Sequence, residues 1–233
     1  MEKLEYIRNE EKKYHDSCYE HYKLFEEGSW LYKPVKTVID VLPLLDKDQI
    51  KVLDLGCGVG RNSIPIAEAI KDRNGKIVCV DLLDSALEKL GQYRQEFDVQ
   101  QVIELEKADI GDYQIKKADF DLIIAVSSLE HVASEKTLDI VMKRMVDGTK
   151  KKGMNCLIVN SEVEEMDVKT NKQLEPLMEV NIRTADMFKK LKKFYHGWEI
   201  ITQHVKPLKY EIARNNKPVI LKTNAITYVV RKI

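Results

Sequence analysis

The stretch VLDLGCGVGRNS, from Val52 to Ser63, decides how the chain folds. An apolar run ends at three glycines in alternate positions, Gly56, Gly58 and Gly60, and Asp54 stands two residues before the first of them. An apolar run that stops at a glycine-rich turn and continues into a helical pattern is typical of a buried strand in a parallel sheet. Ligands of such sheets bind beyond the carboxyl ends of the strands. We therefore expect this turn to border a ligand site.

Apolar segments alternate with helical patterns along the rest of the chain. This alternation predicts an α/β fold, a doubly wound Rossmann-like sheet of seven strands with helices on both faces. The last two strands are joined without an obvious helix, so we expect them to pair antiparallel at the sheet edge. The strands are predicted at residues 51–55, 76–81, 101–109, from 120, at 154–160, 198–205 and 221–231, and the helices at 1–27 (one or two), 34–45, 62–71, 85–96, 135–146 and 184–193, the last capped by Thr184. Residues 161–183 form a polar stretch, and residues 1–45 an N-terminal helical extension that is a candidate lid over the site.

Composition and charge exclude several classes of protein. The chain has 233 residues, and its 38 Lys and Arg residues balance 38 Asp and Glu residues. Binding nucleic acid mainly through its phosphates needs a net basic surface, so there is no strong nucleic-acid signal. There is no secretion signal, and no apolar run approaches the about 18 residues of a membrane span. The four cysteines lie far apart without a CxxC pair, which predicts a reduced cytoplasmic protein with buried thiols.

The spacing of the glycines distinguishes two kinds of nucleotide ligand. A dinucleotide places its pyrophosphate on the helix N-terminus and favours the pattern GxGxxG. Here Arg61 occupies the third glycine position of that pattern, and the carboxylate of Asp54 would repel a pyrophosphate. S-adenosylmethionine carries a sulfonium and an ammonium group instead of phosphate, and a nearby carboxylate attracts both. The turn therefore favours S-adenosylmethionine over NAD.

Acids also follow the next two predicted strands. Asp81 ends the second strand, 21 residues after Gly60, and an acid there can accept hydrogen bonds from both ribose hydroxyls. Asp109 follows the third strand, in KADI, and can accept a hydrogen bond from an adenine amino group. Three acids at three successive strand ends, around one glycine turn, make a fairly specific set.

These motifs resemble the class I S-adenosylmethionine-dependent methyltransferases. The resemblance runs from about Lys51 to Asn160 and rests on LDLGCGVGR, the strand-end Asp81, KADI, FDLIIAVSSLEHV and KKGMNCLIV. A weaker resemblance, through GCGVGRNSIPIA and the tail GWEII…TYVVRK, is to the tellurite-resistance methyltransferase group. The family implies that residues 46–233 are the S-adenosylmethionine-binding methyltransferase domain.

The resemblance also assigns parts of the cofactor to residues of this chain. It implies that Gly56, Gly58 and Gly60 line the methionine part, that Asp81 and Leu82 hold the ribose and flank the adenine, and that Asp109 and Ile110 contact the adenine. We add three residues by position: Asp54 at the root of the turn, Cys57 within it, and Ser127 at the end of the fourth strand.

A catalytic side chain is harder to identify. His131, in SSLEH after the fourth strand, is the candidate general base, although a residue that only lines the cleft fits its position as well. His15 is a second histidine that can point inward, from the N-terminal helix. The aromatic residues Tyr14, Tyr22 and Trp30 fit either core packing or a lid. The histidines and cysteines show no metal-ligand spacing, so we expect no metal site.

Four functions are compatible with these patterns. The first is methyl transfer from S-adenosylmethionine to a small molecule, and the second is methyl transfer to protein or RNA. The chain lacks the Asn/Asp-Pro-Pro-aromatic motif of enzymes that methylate exocyclic amines of nucleic acid. The third is a module that binds the cofactor without turnover, and the fourth is an NAD oxidoreductase. The acceptor and the oligomeric state stay open.

Overall fold

The computed structural model describes residues 2–45, 47–214 and 217–233. Its helices are α1 (Glu2–His21), α2 (Lys36–Val41), α3 (Ser63–Ile70), α4 (Asp84–Glu96), α5 (Glu135–Gly148) and α6 (Thr184–Phe194). Its strands are β1 (Lys51–Leu55), β2 (Lys76–Asp81), β3 (Ile103–Lys107), β4 (Phe120–Val126), β5 (Thr149–Asp167), β6 (Gln173–Leu174), β7 (Glu199–Arg214) and β8 (Lys217–Arg231).

The strands form one mixed sheet of eight strands, seven of them in the order β3-β2-β1-β4-β5-β8-β7, with the short β6 paired antiparallel to β5. Strands β1 to β5 are parallel, and β8 lies antiparallel between β5 and the edge strand β7. The predicted doubly wound sheet is therefore confirmed, with the antiparallel strand one position inside the edge, and the short β6 is an eighth strand that was not predicted. The order reverses at β1, so the turn after β1 lies where such sheets bind ligands.

Two apolar layers cover the faces of the sheet. Residues of β1, β2 and β4 alternate between them: Val52 packs with α2, α3 and α4, whereas Leu53 packs with α5 and α6. This alternation is what the period-2 side-chain geometry of a strand buried on both faces requires. The predicted helices on both faces are thus confirmed, and the carboxyl ends of the strands are held in register at one edge.

The long strands differ most from the sequence prediction. β5 has 19 residues and β7 has 16, and both continue well past their predicted ends, whereas β8 has 15, begins four residues early and ends at Arg231 as predicted. Consequently, the predicted polar stretch 161–183 begins as strand, up to Asp167, and then contributes the short β6. The distal residues of β5 alternate buried Val163 and Glu165 with exposed Glu162 and Glu164. Charged residues at strand positions lack the apolar signal of the buried segments. The predicted strand therefore ended at residue 160, seven residues before the end of β5.

The helices also depart from prediction in detail. The N-terminal segment forms one helix, α1, and residues 34–45 form the short α2 followed by a 3₁₀ turn at Leu42–Leu44. Thr184 is the first residue of α6 and not its cap, which is Arg183. The hydroxyl of Thr184 instead donates to Glu162, 2.7 Å away on β5. No helix among the described residues is long and apolar enough to cross a membrane.

Candidate functional site

The glycine turn has a backbone conformation that side chains resist. Gly56, Gly58 and Gly60 have φ values of 77°, 53° and 93°, in the left-handed region that favours glycine. A Cβ at Gly56 would lie 2.4 Å from the Cβ of Ser128. The turn is anchored because the backbone N–H groups of Gly56 and Cys57 both donate to the carbonyl of Val80. The result is a bare, fixed stretch of backbone at the end of β1.

Asp81 ties this turn to the end of β2. One carboxylate oxygen accepts from the backbone N–H of Gly58 at 2.8 Å, and the other accepts from that of Leu83 at 2.9 Å. The residue is buried. Each carboxylate oxygen has a second lone pair, so Asp81 is oriented by the fold and can still accept from a ligand's hydroxyl groups.

Asp54 lies beneath the turn rather than on its surface. It is almost fully buried, and one carboxylate oxygen accepts a 2.5 Å hydrogen bond from the hydroxyl of Ser63 at the start of α3. Burial raises the pKa of Asp54 to about 7, although the bond from Ser63 and the charge of Arg61 oppose the rise. A carboxyl group with this pKa can gain or lose its charge near neutral pH, and a nearby cation would favour the charged form.

The raised pKa of Asp54 predicts a pH-dependent stability. Between about pH 4 and 7 the folded state keeps a proton that the unfolded state has lost, so the free energy of unfolding falls as the pH rises through this range. Asp54→Asn should remove this slope and stabilise the protein above pH 7 by up to about 4 kcal/mol, at about 1.4 kcal/mol per pKa unit. Urea unfolding from pH 4 to 8 measures it. Ser63→Ala should extend the wild-type slope to higher pH, and identical slopes in all three proteins would contradict the assignment.

The residues predicted to contact adenine lie at the ends of β2 and β3. Leu82 is exposed after β2, and Ile110 is buried after β3. Asp109 accepts from the backbone N–H of Gly111 at 2.8 Å and from the guanidinium of Arg8 at 2.7 Å. The fold therefore brings these three residues to one end of the glycine turn, and a cation of α1 faces the acid.

Helix α1 lies across the glycine turn. The hydroxyl of Tyr19 lies 3.1 Å from where a Cβ at Gly58 would be. Asp16, one turn earlier, accepts a 2.5 Å hydrogen bond from the hydroxyl of Ser85 on α4. Trp30, after α1, is contacted by Arg61, which stacks 5.0 Å from the ring centroid and donates to the carbonyl of Trp30. The N-terminal extension thus covers the turn and both of its flanks.

The segment after β4 forms another wall. Ser127 is exposed with φ 51°, and Ser128 donates to the carbonyl of Leu55 at 2.6 Å. The side chain of Glu130 is fully buried and accepts two hydrogen bonds from Asn160 on β5. One oxygen of Glu130 has no hydrogen-bond partner within the described ranges. The segment is thus fixed against β1 and β5, and the cleft-lining role of SSLEH stays a prediction.

His131 has an environment that disfavours a general base. Its Nδ1 lies 3.0 Å from a carboxylate oxygen of Glu179. Burial by itself lowers the pKa of His131, but the carboxylates of Glu179, Glu130 and Glu11 raise it to about 9. At neutral pH the ring is therefore an imidazolium with no lone pair to accept a proton. The other predicted role, lining of the cleft, stays a prediction.

The sequence analysis did not identify the charged residue that links α1 to the long hairpin formed by β7 and β8. Arg214, at the end of β7, donates from Nη2 to Glu11 of α1 and to Glu165 of β5, both at 3.1 Å. Its side chain is 11% exposed, and its Nε has no partner in the described part of the chain. These residues are separated by 203 and 49 positions, and no local pattern indicates their contact.

The described residues hold no group of three or more His, Cys, Asp or Glu side chains placed to bind a metal ion. The cysteines are all buried and unbridged: Cys18, Cys57, Cys79 and Cys156. Burial raises the pKa of the Cys57 thiol well above its ordinary value, as do its neighbours Cys79 and Asp81. Cys57 therefore contributes a neutral thiol to the turn, and it is no reactive thiolate.

Comparisons with known proteins agree with this architecture. The family model described as "Methyltransferase domain" matches residues 52–153, which include the glycine turn, Asp81, Asp109 and the segment after β4. A carboxy-S-adenosyl-L-methionine synthase from Shewanella piezotolerans is 24% identical over 123 residues, 53% of this chain and 49% of that protein. The chain thus spans about half the length of the curated relative that it matches.

Solved structures show the same fold. TehB from Haemophilus influenzae has a TM-score of 0.61 at 20% identity, covering 85% of this chain and 62% of that one. YcgJ from Bacillus subtilis has a TM-score of 0.61 at 12% identity, covering 84% and 97%. The [4+2]-cyclase SpnF has a TM-score of 0.57 at 12% identity, covering 88% and 83%. The resemblance to methyltransferases predicted from the sequence is confirmed at the level of the domain and the fold.

Proposed function

We propose that this chain, which carries the methyltransferase domain of the class I S-adenosylmethionine-dependent family, transfers a methyl group from S-adenosylmethionine to a small-molecule acceptor. One observation carries the proposal. The left-handed glycine turn is joined to the strand-end acid of β2 by the hydrogen bond from Gly58 to Asp81. That pair presents bare backbone and an oriented carboxylate side by side, which suits an amino-acid group linked to a ribose.

The residues around the turn fit S-adenosylmethionine in shape and charge. Gly56, Gly58 and Gly60, with Cys57 between them, would line its methionine part, and Asp81 would accept from its ribose hydroxyls. Leu82, Asp109 and Ile110 would surround its adenine, and Ser127 would border the reacting end. When bound, the cofactor supplies an electrophilic methyl group on a positively charged sulfur. Asp54, whose pKa is near 7, would compensate that positive charge from beneath.

Enclosure of the cleft supports a small acceptor. Helix α1 lies over the glycine turn, and Arg214 at the tip of the long hairpin joins α1 to β5. Lys3 of α1 also pairs with Glu175, beyond β6. We infer that residues 1–45 act as a lid that excludes water from the site. Zero net charge argues against nucleic acid as the main partner. The buried, unbridged cysteines support a cytoplasmic site of action.

The lid proposal predicts faster ligand exchange when α1 loses a contact with the site. Arg8→Ala removes the ion pair between Arg8 and Asp109. The two side chains are 30% and 19% exposed, so the pair contributes less than about 1 kcal/mol to stability. We expect association and dissociation of S-adenosylhomocysteine to accelerate about twofold to fivefold, with a smaller change in Kd. Stopped-flow fluorescence measures both rates, because Trp30 lies beside the turn.

Lys12→Ala is the matched control for this measurement. Lys12 lies on the same helix but pairs with Asp16 of α1 itself, so its loss should leave both rates near those of the wild type. Equal rates in Arg8→Ala, Lys12→Ala and wild type would show that the contact with Asp109 does not hold a moving lid.

The function itself is tested by binding and then by product. Calorimetry should give micromolar Kd values for S-adenosylmethionine and S-adenosylhomocysteine and no binding of NAD. The protein should then convert the methyl-labelled cofactor to S-adenosylhomocysteine when it receives the small-molecule fraction of a cell extract. The protein and RNA fractions, which test the macromolecular alternative, should give no conversion.

Each other outcome has a distinct meaning. Binding of neither sulfur compound would refute the cofactor, and conversion only with the macromolecular fractions would refute the small-molecule acceptor. Binding without conversion by any fraction would favour a module that holds the cofactor without turnover. The similar proteins include a synthase and a cyclase, so the fold alone does not fix the reaction. Mass spectrometry must therefore identify the product that carries the labelled methyl group.

A further inference from the structure

We propose that His15 of α1 is the general base of this site, taking a proton from the acceptor at its Nδ1. The acceptor then belongs to the molecules whose nucleophilic oxygen or nitrogen carries a proton at neutral pH, such as alcohols, phenols and amines. This inference rests on the proposed function and deepens it. It also moves the proton-accepting role from His131 to a histidine on the lid.

Helix α1 places His15 close to the glycine turn, beside Tyr19. It lies one helical turn before Tyr19, whose hydroxyl borders the glycine turn at Gly58. Its ring packs against Tyr14, Tyr19 and Trp30, at centroid distances of 5.4, 5.7 and 6.0 Å. Three aromatic neighbours fix the ring's plane, so the imidazole is held as an inward-facing group of the lid.

The contacts of the ring determine which nitrogen is free. Nε2 faces a carboxylate oxygen of Glu11 at 3.8 Å, and the other oxygen of Glu11 accepts from Arg214. This distance is beyond a hydrogen bond, but the negative charge of Glu11 favours the neutral ring with its proton on Nε2 and its lone pair on Nδ1. Nδ1 is buried and has no hydrogen-bond partner among residues 2–45, 47–214 and 217–233. The charge of Glu11 thus favours the tautomer that a base needs, and Arg214 holds Glu11 in place.

Electrostatics separate the two histidines of the cleft. Burial lowers the pKa of His15, and the charge of His131 lowers it further, while Glu11, Asp81 and Asp16 oppose the shift. The carboxylates around His131 raise its pKa to about 9 against the effect of burial. At neutral pH His15 is therefore neutral and His131 charged. Pairs of titratable groups whose surroundings push their pKa values apart are typical of acid–base sites.

The methyl transfer needs only the acceptor, the cofactor and His15. The nucleophilic atom of the acceptor forms its bond to the methyl carbon, the methyl–sulfur bond breaks with its electron pair left on sulfur, and the acceptor's proton passes to Nδ1 of His15. The imidazolium that results is stabilised by the carboxylate of Glu11 at Nε2. Solvent takes the proton when the products leave.

Histidine NMR of the full chain, with S-adenosylhomocysteine as the bound probe, tests the assignment without an acceptor. We expect His15 to be neutral at pH 7, protonated at Nε2, with a pKa below 6.5, whereas His131 titrates near 9. Glu11→Gln removes a charge that raises the pKa of His15, so it should lower that pKa further. A charged His15 at pH 7, or the Nδ1–H tautomer, would overturn the proposal.

Kinetics with the acceptor that the extract assay identifies give the second readout. His15→Asn should lower kcat by at least about 100-fold, the range of general base catalysis, abolish the acidic limb of its pH profile and leave the Kd of S-adenosylhomocysteine within about twofold. His21→Asn is the matched control, because His21 is exposed on the same helix. An unchanged kcat in His15→Asn would refute His15 as the general base and leave the proposed function standing. Failure of the wild type to bind S-adenosylhomocysteine would refute the proposed function itself.

Discussion

Replacing Asp81 with alanine should weaken binding of S-adenosylmethionine and S-adenosylhomocysteine by at least about 100-fold each. The fold orients the carboxylate through Gly58 and Leu83, so both oxygens are positioned before the ligand arrives. Hydrogen bonds to a charged group are worth about 1.5–3 kcal/mol each, and a 100-fold change corresponds to about 2.7 kcal/mol. Both ligands contain the same ribose, so the two losses should be equal. Isothermal calorimetry measures them.

Two variants make this result specific. Asp40→Ala removes an exposed acid that pairs with Lys36 on α2, and it should leave both Kd values unchanged. Asp54→Asn removes the charge beneath the turn, so it should weaken S-adenosylmethionine more than the uncharged-sulfur product. An Asp81→Ala protein that is folded and still binds either compound with the wild-type Kd would refute the ribose assignment.

The central sheet was predictable because its signals are local. Strands β1 and β2 are short apolar runs, and Gly56 follows the first whereas Asp81 ends the second. Asp109 lies two residues after β3. In a parallel sheet the carboxyl ends of neighbouring strands share one edge. Three separate positions in the sequence therefore converge by topology alone, and the structure brings them together as expected.

The contacts that α1 makes with the rest of the chain were not predictable, because their signals are not local. The contact between Arg214 and Glu11 joins residues 203 positions apart, and that between Arg8 and Asp109 joins residues 101 apart. Both depend on where α1 and the β7–β8 hairpin lie in the tertiary structure. The chain has 76 charged residues, and no sequence pattern distinguishes those that make such a contact. The choice between His15 and His131 needed burial and neighbouring charges, which no spacing rule supplies.

Replacing Gly56 with alanine should destabilise the protein by about 3 kcal/mol or more. The residue has a φ of 77°, where a side chain costs about 1–2 kcal/mol. The new Cβ would also lie 2.4 Å from the Cβ of Ser128, whose hydroxyl is fixed by its bond to Leu55. The turn or the segment after β4 must therefore move. Urea unfolding of the ligand-free protein gives the change in the free energy of unfolding.

Gly91 provides a control of opposite sign. It lies inside α4, where an added Cβ would meet only Leu105 at an ordinary 3.7 Å. Gly91→Ala should therefore stabilise the protein by about 0.5–1 kcal/mol, the usual gain of alanine over glycine in a helix. Adding Ser128→Gly to Gly56→Ala should recover the part of the loss due to the steric overlap and leave the part due to φ. If Gly56→Ala is as stable as the wild type, the turn is not held against the segment after β4, and the fixed backbone proposed to receive the cofactor is absent.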